Sequence, residues 1–96
     1  MNIIDVHTHA FTDALAPVAI PTLVAAADLH GGVTPYYDGT IAGLIEAMDR
    51  TGVDRSLVAP VATKPSQVRT INDWAISLVS DRIIPFGAMH PDFPDP

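Results

Sequence analysis

Ile3-Ile4-Asp5-Val6-His7 is a short β-branched run closed by polar residues, and it reads as a buried strand from which the rest of the fold can be built outward. Side chains alternate across a strand, so Asp5, His7 and His9 fall on one side and Val6 and Thr8 on the other. Thr12 and Asp13 offer helix-start chemistry ahead of the apolar stretch 14–29, where Pro17 and Pro21 predict a kinked or two-piece helix ended by Gly31-Gly32. Residues 33–39 are loop by composition. Thr40 then caps the clearest helix, with Ile41, Leu44, Ile45 and Met48 on one stripe and Gly52 as its stop. Residues 56–61 form the second strand. Pro65 and Ser66 open a further helix with Val68, Ile71, Ala75, Leu78 and Val79 on one face. Residues 83–89 form the third strand, in which Pro85 removes one ladder donor. Val53-Asp54-Arg55-Ser56 and Ser80-Asp81-Arg82-Ile83 each lead from a helix into a strand, as repeated β/α units would. The order β-α-α-β-α-β with near-continuous apolar strands predicts an α/β fold with a parallel sheet covered by helices.

Composition narrows the function classes. The chain has 96 residues, no cysteine and a net charge of −6, with five basic residues against eleven acidic ones. Disulfides, thiolate metal sites and cysteine nucleophiles are excluded together. The acidic balance argues against binding to a nucleic-acid backbone. An N-terminus without a basic residue is a poor secretory signal, and residues 14–27 are too short and too interrupted by Pro17, Pro21 and Thr22 to span a bilayer. The expectation is a cytoplasmic protein with a small-molecule substrate, no nucleic acid and no membrane. A glycine-rich phosphate loop, a Gly-x-Ser-x-Gly elbow and a His-Glu-x-x-His helix are all missing.

The chemistry concentrates at the end of the first strand. Two imidazoles two residues apart on one face can chelate a single ion, each offering a neutral ring nitrogen. His-x-His alone is a weak signal; its position after an apolar strand strengthens it. Asp5 lies one step deeper, where a buried carboxylate needs a partner and orienting a ligand or a lysine would satisfy it. His90, ending the third strand and held extended by Pro91, reads as a substrate contact, a metal ligand or a structural loop histidine. His30 suits a helix C-terminus. Trp74 reads as core or interface packing rather than a substrate platform, Asn72 and Asp73 as a solvated helix face, and Tyr36-Tyr37 as loop packing or a lid. Arg55 and Arg82 enter their strands from the opposite end and read as stabilising.

Ile3-Ile4-Asp5-Val6-His7-Thr8-His9-Ala10-Phe11 resembles the opening strand of the amidohydrolase superfamily of metal-dependent hydrolases on a (β/α)₈ barrel. Met48-Asp49-Arg50-Thr51-Gly52-Val53-Asp54-Arg55-Ser56 resembles the approach to the second strand of its amidohydrolase-related branch. Ile83-Ile84-Pro85-Phe86-Gly87-Ala88-Met89-His90-Pro91 resembles that branch's third strand, with its Gly-x-x-His-Pro ending. The branch includes decarboxylases similar to aminocarboxymuconate-semialdehyde decarboxylase. Histidinol-phosphatase-type phosphoesterases also open with a strand and His-x-His, but the downstream matches favour amidohydrolases.

The resemblance implies that residues 1–96 are a single partial domain, the first three strands of such a barrel. It assigns His7 and His9 as ligands of a divalent metal, usually zinc, and leaves Asp5 and His90 as substrate or supporting residues. The implied activity is hydrolysis of a small carbonyl, amide or ester substrate through metal-activated water, or a related non-oxidative decarboxylation. The family's further histidines and aspartate come from later strands, which implies that the 96-residue chain alone is inactive. The alternative is a catalytically incomplete barrel fragment serving as an assembly module, because a full barrel takes about 250 residues. Open parallel edges predict self-association or dependence on a missing C-terminal portion.

Overall fold

The computed structural model describes residues 2–32 and 34–95; Met1, Val33 (the first residue of the expected 33–39 loop) and Pro96 lie outside them. The elements are β1 (Ile4–Thr8), α1 (Ala16–Asp28), α2 (Ile41–Thr51), β2 (Arg55–Val58), α3 (Val68–Ser77) and β3 (Ile83–Pro85). A single 3₁₀ turn, Pro65–Gln67, leads into α3 where the sequence suggested a helix from its first residue. The fold is α/β, with three parallel strands in one open sheet in the spatial order β1-β2-β3. No helix is long and apolar enough to cross a membrane among the described residues.

α2 forms where its end chemistry is complete. Thr40 is extended and its hydroxyl accepts from Gly43 N at 3.0 Å, while Gly52 closes the helix at φ 78°. Asp38 in turn accepts from Thr40 N at 3.0 Å and from the Thr40 hydroxyl at 2.7 Å. Those bonds, the hydroxyl's first, hold the Asp38 carboxyl below the usual carboxylate range. A Cβ on Gly43 would land on this carboxylate, which explains a glycine inside the first turn.

The core lies on the helix-covered face of the sheet. Leu44 and Met48 from α2 pack with Val58 of β2, Ile83 of β3 and Ala10, and half-buried Trp74 and Leu78 pack against them. The Trp74 expectation holds. Val58 is 0% and Ile83 2% exposed; full burial of such a side chain contributes about 1.5–3 kcal/mol. Ser56, opposite Ile83 and two residues before Val58 on β2, is fully buried with its hydroxyl lacking a hydrogen-bond partner among the described residues. At the strand entry, Arg82 donates to the carbonyls of Asp54 (2.7 Å) and Val53 (3.1 Å) and pairs with Asp49 at 2.9 Å, a stabilising role as expected.

Several expectations are corrected. β1 is not buried: all of its residues but Thr8 are exposed, so neither of its faces is covered along Ile4 to His7. α1 is one continuous helix. Pro17 occupies its first turn, where no donor is needed, and Pro21 forfeits a single bond on an exposed surface. β2 and β3 stop at Val58 and Pro85, short of the apolar runs that suggested longer strands. Val79, expected on the inner face of α3, lies beyond the helix end and is exposed. Asn72 is not a solvated side chain. Its Nδ2 donates to Ala88 O at 3.0 Å and its Oδ1 accepts from Ala88 N at 2.7 Å, tying the segment after β3 to α3.

Candidate metal centre

The register of β1 against β2 runs Ile4–Arg55, Asp5–Ser56, then Thr8–Val58, so between Asp5 and Thr8 β1 advances three residues while its neighbour advances two. This bulge breaks the strict alternation that placed Asp5 beside both histidines, and bulges characteristically re-aim side chains next to sites. Asp5 is exposed and its Oδ1 accepts from the backbone N of His7 at 3.0 Å. The expectation of a buried carboxylate is therefore overturned; Asp5 instead fixes the backbone at the bulge through a local turn.

His7 and His9 do converge. Their Nε2 atoms lie 3.2 Å apart with the rings edge to face, and both side chains are exposed. His9 Nδ1 lies 2.9 Å from the carbonyl oxygen of Ala59. A carbonyl can only accept, so Nδ1 carries the proton, which leaves Nε2 as the nitrogen that faces His7 and would hold a metal. Two nitrogens at tetrahedral positions around zinc, each at 2.0–2.1 Å, stand about 3.3–3.4 Å apart. The pair fits a single divalent ion on donor type and separation, and His9 also on tautomer.

Around the pair the backbone is pinned from three sides. Thr8 Oγ1 donates to Leu57 O at 2.6 Å, and Ala59 N donates to Thr8 O at 2.9 Å. The Tyr37 hydroxyl donates to His9 O. Burial pushes the Tyr37 phenol up, and the Asp5 carboxylate adds to that rise, so the hydroxyl remains a donor at neutral pH. Tyr37 thus combines core packing with a bond beneath the histidine pair, whereas Tyr36 is exposed. Just beyond, Phe11 N donates to Gly39 O at 2.7 Å. Gly39 has φ 85°, and a Cβ there would come within 2.7 Å of Ile20, so this close crossing requires glycine.

His90 stands elsewhere. It is half-buried in a turn, where its Nδ1 accepts from Asp92 N at 3.1 Å and its carbonyl accepts from Phe93 N at 3.0 Å. Among the described residues no group of three His, Asp or Glu side chains is gathered as a metal would need, so neither His90 nor Asp5 completes the pair. His30 is exposed just past α1, with its backbone N bonded to Ala27 O at 2.9 Å.

A cavity of about 650 Å³ opens beside His9, between α1 and the segment after β2. Phe11, Leu15 and Val61 line it together with Lys64 and Gln67. Neither Lys64 nor Gln67 stands out in the sequence, and nothing singles out Ala59, whose part is played by a backbone carbonyl. No protein-family model, curated protein or solved structure gives a significant match to the chain.

Proposed function

We propose that this chain is the N-terminal, metal-binding part of an amidohydrolase-type enzyme, its three parallel strands being the first three of a (β/α)₈ barrel. The enzyme would act on a small carbonyl, amide or ester substrate or carry out a related decarboxylation. The observation that carries the reading is the 3.2 Å approach of His7 Nε2 to His9 Nε2 with the His9 tautomer set by Ala59 O. A divalent ion held by His7 and His9, zinc by the donor set, would supply Lewis acidity toward a substrate carbonyl oxygen. The chain's own residues prepare for it: Ala59 keeps His9 Nδ1 protonated, Asp5 holds the His7 backbone, and Tyr37 and Thr8 fix the backbone between them. A catalytic zinc site takes about three protein ligands and an open position. His7 and His9 provide two, and the rest would come from outside the described residues.

Equilibrium dialysis against zinc, read by elemental analysis, tests this. The wild-type chain should retain zinc and the His7→Ala/His9→Ala double variant should lose it while keeping its circular-dichroism spectrum. Full retention in the double variant overturns the metal site. A second reading, an assembly module without catalysis of its own, is favoured by Ile4 (48% exposed) and Val6 (71% exposed) on the unpaired edge of the sheet. It expects self-association, and a strictly monomeric chain in sedimentation velocity would contradict it.

A further inference from the structure

We propose that the cavity beside His9 is a binding site for an amphipathic monocarboxylate, an apolar chain or ring whose acid group is held by Lys64 and Gln67. The volume of about 650 Å³ lies within the range of small-molecule pockets. Its walls are mostly apolar: Phe11, Leu15 and Val18 on one side face Val61 on the other. Such walls take up an apolar body by removing it from water.

The polar groups decide what the other end must be. Gln67 Oε1 is already taken, accepting from Thr63 N at 2.9 Å and from the Thr63 hydroxyl at 3.0 Å, which leaves the amide NH₂ as the free end. The Thr22 hydroxyl is committed to Val18 O at 2.8 Å. Lys64 takes part in none of the ion pairs among the described residues, which all involve arginines. Among the described residues no Asp or Glu lines the cavity, although the chain carries eleven acidic residues and a net charge of −6. Charge-assisted bonds from an ammonium and an amide, without a competing carboxylate, select an anionic acceptor over a neutral or cationic one. His9 lies at the cavity wall, so the bound molecule is placed against the metal pair. Only this last point rests on the metal reading; the binding site does not.

The test is therefore run on zinc-free protein, with octanoate and its neutral counterpart octanamide, followed by ¹H–¹⁵N NMR of the full chain. Octanoate should saturate and shift the backbone amides of Phe11, Leu15, Val61 and Gln67, and octanamide should bind about tenfold or more weakly. Lys64→Met should bring octanoate down to the octanamide level, while Lys64→Arg should retain most of the binding. Val18 is 67% exposed, so Val18→Glu is compatible with folding; it should abolish octanoate binding by placing a carboxylate in the cavity. Equal affinity for the acid and the amide, or octanoate binding unchanged by Lys64→Met, would overturn the proposal. Zinc dialysis and octanoate titration fail independently, so loss of one reading leaves the other standing.

Discussion

β1 and β2 are hydrogen-bonded neighbours in one sheet, yet different forces hold them. β2 presents Ser56 and Val58 to a helix layer and buries both completely. β1, with an equally apolar sequence, leaves Ile4 and Val6 in the open and is fixed by polar bonds. Asp54 Oδ2 takes Ile3 N at 2.7 Å, Leu57 O takes the Thr8 hydroxyl, and Ala59 O takes His9. The packed region determines whether the chain folds, and the bonded region determines where the two imidazoles point. Stability and site geometry are thus written into separate strands, which allows them to be perturbed separately.

The largest effect should come from the packed side. Ile83→Ala removes a 2% exposed side chain from the shared core and should cost about 2–5 kcal/mol in denaturant unfolding. Val6→Ala on β1 should change stability by no more than about 0.5 kcal/mol. Comparable losses at the two positions would break the contrast. Thr8→Val comes next: it keeps the volume but removes the bond to Leu57 O, and should cost about 1 kcal/mol. It should also weaken zinc retention, because Thr8 lies between the two histidines; weaker unfolding stability with unchanged zinc retention would mean that the bond is structural only.

The smallest effect concerns Asp38. Its carboxyl titrates lower in the folded than in the unfolded chain, so its contribution is full above the usual carboxylate range and disappears as the pH falls through the folded value. Acid unfolding of wild type and Asp38→Asn should therefore diverge above that range and converge below it. Parallel curves at all pH values would remove Asp38 from the α2 cap.

What could be read from the sequence is what local chemistry decides. Thr40, Gly52 and the stripe Ile41-Leu44-Ile45-Met48 specify α2 with both ends, and the structure places all of them as expected. The His-x-His spacing marked His7 and His9 as a pair, and the structure brings them together across the irregularity in β1 rather than by strict alternation. The exposure of β1 was not legible, because Ile3, Ile4 and Val6 are apolar whether or not a helix covers them. The bulge was not legible either, since it arises from pairing with a strand some fifty residues away, as the separation of 51 between Ile3 and Asp54 illustrates. Tyr37, Ala59 and Asn72 act through backbone groups distant in sequence, and no residue pattern encodes such a partner.

Asn72 has a chemical consequence of its own. The Asn72 carboxamide offers a donor and an acceptor on neighbouring atoms of one short side chain, which is what Ala88 N and Ala88 O require together. Spontaneous deamidation to aspartate would exchange the donor for an oxygen facing a carbonyl, turning half of the clamp from attractive to repulsive. The segment carrying His90 would then lose one of the two bonds by which Asn72 ties it to α3.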